Sequence, residues 1–257
     1  MADNSQNPST LNPILGALVI GASSGIGAAV ARRLAKEGYA VALVARRADL
    51  LNQVAARIRT DGGQAHIYVH DVTHYAEAPT LFQTILRDLG RLDVVVYASG
   101  VLPAVGPSEF NFEKDKAMID IGVLGAMAWL DQVAMAFERL GQGSIVGISS
   151  AAGERGRVIN PVNNASKAAL TTYLEALRNR LTRKGVHVLT VKPGMVDTDM
   201  LKEVKRRMFV ISAEQCAADI WKALKGRRQE VYTPARWRLV MWVIRNIPSF
   251  VFRRLSI

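Results

Sequence analysis

The sequence predicts an α/β protein in which one doubly wound, mostly parallel sheet of about seven strands carries helices on both faces. Short apolar runs alternate with longer helical patterns from residue 13 to residue 233, and strict β-α alternation is the pattern of a parallel sheet wound by crossover helices. The runs are rich in Val, Ile and Ala without polar alternation, as in strands covered on both faces. Glycines punctuate the helical stretches at Gly38, Gly62, Gly63, Gly90, Gly141 and Gly185, where left-handed caps favour them. These features describe a single Rossmann-like domain.

Taken in order, the strands fall at 17–20, 41–45, 65–69, 93–97, 144–149, 186–191 and 230–232. Helices lie between them at about 25–36, 48–59, 76–89, 113–140, 161–184 and 213–224. Residues 1–12 read as a flexible polar lead-in, 13–233 as the body, and 234–257 as a basic, apolar C-terminal segment of the same domain. No repeat and no Gly/Pro/Ser-rich linker divides the chain.

The 257 residues are 49% hydrophobic and 21% charged, which excludes disorder as the main state and allows a large core. Cys216 is the single cysteine, so no intrachain disulfide is expected. The first ten residues carry one acid and no base, unlike a targeting leader, and Leu11 to Ala31 holds four glycines, which suits a membrane span poorly. A cytoplasmic protein is expected. The net charge of +11 is uneven, because thirteen basic and four acidic residues follow position 200. No nucleic-acid-binding module accompanies that charge, so no nucleic-acid partner is expected.

Residues 17–27 read ALVIGASSGIG, a strand entering a glycine-rich turn that opens a helix. Gly21 permits the tight turn, and Gly25 and Gly27 allow backbone to approach a pyrophosphate bound by the free N–H groups of the helix start. The expected cradle is Gly21, Ser23, Ser24, Gly25, Ile26 and Gly27. An acid at the end of the second strand would hold a ribose 2′-hydroxyl, but Ala45 is followed there by Arg46 and Arg47. Guanidinium groups suit a 2′-phosphate, so NADP(H) is the expected cofactor.

The spacing of glycines at 21, 25 and 27 resembles the TGxxxGIG loop of the short-chain dehydrogenase/reductase family, with Ile20 in place of threonine. The resemblance continues through Asp71-Val72-Thr73, Tyr97-Ala98-Ser99-Gly100 where the family has NNAG, Ser150-Ala151-Ala152-Gly153, NNASKAAL at 163–170 and KPGMVDTDM at 192–200. It implies that Asp71 and Val72 meet the adenine and that Ser99 and Gly100 pass beneath the ribose. It also implies that Pro193, Gly194, Val196 and Thr198 line the nicotinamide side, and that the chain forms a homodimer or homotetramer through its two long helices.

For carbonyl reduction the family supplies a proton from a tyrosine whose pKa is lowered by a lysine four residues later. Its serine bonds the substrate oxygen, and an asparagine holds a relay water. Residues i and i+4 share one helix face, which explains the tyrosine–lysine spacing. Ser150 and Lys167 fit this pattern, but the position four before Lys167 is Asn163, and Gly122 stands where the relay asparagine is expected. Tyr173, six residues after Lys167, lies on the wrong turn. The expected catalytic groups are therefore Ser150, Asn163 and Lys167. A carboxamide cannot deliver a proton as a phenol does, so activity is expected to be reduced by ~10²–10⁴, or to be absent in a silent NADP(H)-binding protein. Glu154 is the candidate substitute acid, against the alternative of an exposed pair with Arg155 or Arg157.

His66, His70, His74 and His187 lack a cysteine or carboxylate cluster at ligand spacing, so no metal is expected and they read as polar strand-edge residues. In residues 234–257, Trp237, Val240, Met241, Ile244 and Ile247 recur at helical spacing among Arg236, Arg238, Arg245, Arg253 and Arg254. Such a segment can pack over the pocket or a neighbouring subunit, or lie on an anionic membrane surface. Together with SSAAGER it also resembles reductases of a polyprenyl-phosphoryl ketopentose, which would imply a peripheral membrane enzyme acting on a lipid-linked sugar.

Overall fold

The computed structural model describes residues 14–106, 108–201 and 207–255, so the lead-in at 1–12 lies outside the described residues. The first half of the fold runs β1 (Gly16–Ile20), α1 (Gly25–Lys36), β2 (Ala40–Ala45), α2 (Ala48–Thr60), β3 (Gln64–Val69), α3 (Ala78–Leu89) and β4 (Val94–Tyr97). There follow α4 (Phe112–Ile119), α5 (Gly125–Leu140), β5 (Ser144–Ile148), α6 (Pro161–Leu181) and β6 (His187–Pro193). The remainder comprises β7 (Val196–Asp197), β8 (Ile211–Ser212), α7 (Ala213–Lys225), β9 (Glu230–Thr233), α8 (Trp237–Asn246) and α9 (Ser249–Phe252).

Seven strands form one sheet in the order β3-β2-β1-β4-β5-β6-β9, and every neighbouring pair is parallel. The chain moves outward from β1 to β3 and then returns to β4 on the other side of β1. That reversal opens a crevice at the carboxyl ends of β1 and β4, where ligands bind in sheets of this kind. One core joins Val19, Leu43, Val96 and Val191 of the sheet to residues of α1, α2 and α7; the other joins Ile20, Val95, Ile145 and Val188 to α3, α5 and α6. Successive strand residues thus face opposite layers.

Several details differ from the sequence expectation. At the sheet edge, Gln64 and Val69 of β3 are exposed, so continuous cover on both faces fails for this strand. The helix expected at 113–140 contains a π-helical turn at Asp120–Leu124 between α4 and α5. His70 lies beyond β3 and is buried against Trp129, while His187 is buried with Nε2 at 2.8 Å from the Arg228 carbonyl; neither is an exposed edge residue. The joined helix Phe112–Leu140 has the length and apolar character of a membrane span, yet Trp129, Leu130, Val133 and Phe137 are fully covered within the core. The pair β7–β8 forms a second, two-stranded sheet that the sequence reading did not contain.

Candidate active site

The glycine-rich turn leaves β1 at the crevice. Gly21 has φ +91°, and a Cβ there would lie 2.6 Å from the Ser99 nitrogen, so β1 and β4 deliver their loops into direct contact. A Cβ on Gly27 would come within 2.1 Å of the Gly21 carbonyl oxygen. A side chain at either position would displace backbone. At the start of α1, Ser24 makes no side-chain cap and the first turn has no acid, leaving helix N–H donors for an anion. Thr198 closes over this turn, its Cγ2 3.1 Å from the position of a Gly25 Cβ. These residues fit a pyrophosphate cradle.

At the carboxyl end of β2, Arg47 donates to Ser23 Oγ at 3.0 Å and Ser24 Oγ at 2.6 Å. Arg46 turns instead to Asp71, with Nη1 3.3 Å from Oδ2. Burial raises the Asp71 carboxyl pKa, but bonds from the Thr73 N–H and hydroxyl, together with Arg46, outweigh that and hold it below its usual value. One guanidinium and two hydroxyls therefore converge beside the loop. This donor set matches a phosphate; a ribose diol would call for an acceptor.

The groups suited to chemistry gather where β5 meets the start of α6. Ser150 follows β5 and accepts from the Ala152 N–H at 3.0 Å, while its hydroxyl donates to the Pro193 carbonyl at 3.4 Å. Lys167 reaches back from α6 to the Ile148 carbonyl at 3.1 Å, and its Nζ lies 3.6 Å from where a Gly100 Cβ would stand. Burial pushes this ammonium down to about 8. Asn163 precedes it by one turn, half-buried, with a carboxamide that bonds to none of the described residues. Ser150, Asn163 and Lys167 thus share one end of the crevice with Ser99 and Gly100. Tyr173 bonds Asp131 of α5 at 2.6 Å and takes no part.

Gly122 sits inside the π turn, and a Cβ on it would face Ser166 of α6 at 3.8 Å. A π turn frees backbone carbonyls and is frequent at functional sites. Here the fully buried Tyr97 donates its hydroxyl to the Ile121 carbonyl at 2.5 Å. Desolvation raises the Tyr97 pKa, so the phenol remains a donor.

Glu154 does not serve as an acid. It lies in a 3-10 turn at Ala151–Glu154, where its carboxylate meets Lys192 at 2.7 Å, the Tyr232 hydroxyl at 2.9 Å and Arg245 at 3.1 Å. Burial raises its pKa, but these donors outweigh burial and hold the group ionised. The alternative pair with Arg155 or Arg157 is likewise not formed. Arg155 instead donates to the carbonyls of Ile244, Arg245 and Ile247 and lies 3.9 Å from the Phe252 ring centroid.

These contacts fasten the C-terminal segment over the turn after Ser150 and the loop after β6. Trp237 and Met241 are buried against Ala151, with Met195, Tyr232, Val240 and Ile244 around them. The Trp237 indole Nε1 falls 1.8 Å from where a Gly194 Cβ would be, so only glycine fits beneath it. The sequence singled out Trp237, Arg245 and Arg155 but not their contacts, and it missed Lys192 and Tyr232. The one available signal was Lys192 immediately before Pro193-Gly194, a cation on a strand with otherwise apolar neighbours. Among the described residues no group of three His, Cys, Asp or Glu could hold a metal.

The family model for short chain dehydrogenase matches residues 16–208. An uncharacterized oxidoreductase of Staphylococcus epidermidis is 32% identical over 184 residues, 72% of this chain and 79% of its own length. Another, of Mycobacterium tuberculosis, is 30% identical over 239 residues, 93% and 96% of the two chains. Among solved structures, an actinorhodin polyketide ketoreductase variant with NADPH superposes with TM-score 0.77 at 26% identity, covering 84% of this chain and 94% of its own. A short-chain type dehydrogenase/reductase from Mycobacterium ulcerans gives TM-score 0.77 at 25% identity, covering 84% and 86%.

Proposed function

Because this chain belongs to the short chain dehydrogenase family, we propose that it is an NADP(H)-dependent oxidoreductase acting on a carbonyl or alcohol of an apolar substrate. The observation that carries the cofactor choice is Arg47 held between Ser23 and Ser24, with no carboxylate at the end of β2. The NADPH in the ketoreductase structure supports the same choice. Exposed Val158, Ile159, Met200, Met208 and Phe209 on the segments bordering the site favour an apolar substrate.

When bound, the nicotinamide supplies or accepts the hydride. The chain's own residues must hold the substrate oxygen and move its proton. Ser150 and the Asn163 amide can donate hydrogen bonds to that oxygen, but neither releases a proton near neutral pH. Lys167 is the titratable member of this group, and its lowered pKa of about 8 suits it to supply the proton directly or through solvent. The reading includes slow turnover, since the phenol expected at position 163 is absent. A second reading, a silent NADP(H)-binding protein, is favoured by the joint loss of tyrosine at 163 and asparagine at 122.

The test compares NADPH and NADH binding by fluorescence, then turnover of a carbonyl panel by this chain and by Asn163→Tyr. NADPH preference with slow turnover supports the reductase; binding without turnover in both proteins supports the silent protein. We also place the protein in the cytoplasm as a homodimer or homotetramer paired through α5 and α6, which light scattering would show as a mass of two or four chains.

A further inference from the structure

Helix α8 meets the domain with only part of its surface. One side of this helix, Trp237, Val240, Met241 and Ile244, packs on the domain. The opposite side presents Leu239, Trp242 and Val243, which are 68%, 65% and 50% exposed. These three stand at helical spacing, so they form one continuous apolar stripe. After Ile247 and Pro248, α9 adds Phe250 and Val251, 62% and 39% exposed. The solvent-facing side of a surface helix is normally polar, and an apolar stripe there is normally covered. This helix is covered on one side only.

The charge around the stripe selects the occupant. Residues 231–257 contain five arginines, at 236, 238, 245, 253 and 254, and no acid. Arg238, Arg253 and Arg254 are exposed. Glu154, which pairs with Arg245 of this helix, is itself buried and also held by Lys192 and Tyr232. A second copy meeting this face about a two-fold axis would set the arginines of residues 231–257 against one another, with no carboxylate from that segment to pair them. The surface is a convex helix and not a groove, so it suits a broad, deformable partner. An anionic bilayer offers negative headgroups for the arginines, hydrocarbon for Leu239 and Val243, and an interfacial layer favoured by tryptophan such as Trp242.

We propose that the outer face of α8, extended by α9, docks the protein on an anionic lipid surface. The helix lies in the plane of the interface and remains fastened to the domain by its inner face. The proposal is independent of the reaction performed in the crevice.

The experiment is co-sedimentation of the full chain with vesicles of phosphatidylcholine alone and of phosphatidylcholine with phosphatidylglycerol, at low and high salt. The expected result is at least tenfold stronger partitioning to the anionic vesicles, reduced severalfold by salt. Trp242→Glu with Leu239→Glu should abolish binding, and Arg253→Glu with Arg254→Glu should remove the preference for anionic lipid. All four positions are exposed, so the thermal midpoint and NADPH binding are expected to stay unchanged, which separates lost docking from lost folding. Failure of the chain to sediment with either vesicle would overturn the proposal, as would undiminished binding by the Trp242→Glu, Leu239→Glu variant. Conversion of an oligomer to a smaller species by that variant would also overturn it, by assigning the face to a second copy.

Discussion

Glu154 and Lys192 meet at 2.7 Å, with each side chain only 6% exposed. Removing one partner of such a pair costs far more than the pair contributes, because the remaining charge stays buried. Glu154→Gln should therefore destabilise the protein by about 3 kcal/mol in chemical denaturation, and Glu154→Gln with Lys192→Met should recover most of it. The sign with pH follows from the depressed Glu154 pKa. Its stabilisation is complete above the unfolded value of 4.5 and is lost as pH falls through the folded value. The Gln variant should lack that acid-dependent loss.

Arg47 is the test of the cofactor reading. A charge-assisted bond contributes about 1.5–3 kcal/mol, so Arg47→Ala should weaken NADPH binding roughly 10- to 100-fold while leaving NADH nearly unchanged. Arg46→Ala should do less, because Arg46 is already turned to Asp71. Titration of both cofactors by fluorescence checks this; equal loss for NADPH and NADH would defeat the 2′-phosphate assignment.

Lys167 carries a cost that the site needs. Burial lowers its pKa from 10.5 to about 8, so the unfolded chain binds this proton more tightly. Stability should consequently rise as pH climbs from about 8 toward 10.5. Lys167→Met should flatten that rise and gain about 1 kcal/mol at pH 7, after allowing for solvent around a half-buried side chain. The same variant should bind NADPH at least about tenfold more weakly. Differential scanning calorimetry across pH and cofactor titration read the two effects separately.

Tyr97 holds the π turn by donating to the Ile121 carbonyl. In Tyr97→Phe that carbonyl loses its side-chain donor in a dry environment, a loss of about 1–3 kcal/mol. Faster hydrogen exchange confined to residues 119–126 would locate the effect. Uniform exchange across the domain would mean that the hydroxyl does not hold the turn.

The strand–turn–helix at residues 17–27 was legible because its information is local: a strand, glycines at fixed offsets and a helix start lie within it. Ser150 and Lys167 were legible for the same reason, each sitting within a short motif. The π turn was not, because residues 113–140 keep an unbroken helical composition and the extra residue per turn leaves little compositional mark. The small β7–β8 sheet was missed because a two-residue strand has no periodicity to detect. The partners of Glu154 were hidden for a different reason. Arg245 lies 91 residues away in sequence, and only the register of Lys192 with Tyr232 across β6 and β9 brings the network together.

Arg155 grips the Ile247 carbonyl from 92 residues upstream. During translation, the turn behind Ser150 must therefore leave the ribosome before the helix that completes it exists. At about 5–20 residues per second, Glu154 waits roughly 5–20 s for Arg245, which lies 91 residues further along the chain. A chaperone or a membrane close to the exit tunnel would meet the turn behind Ser150 while it is still uncovered.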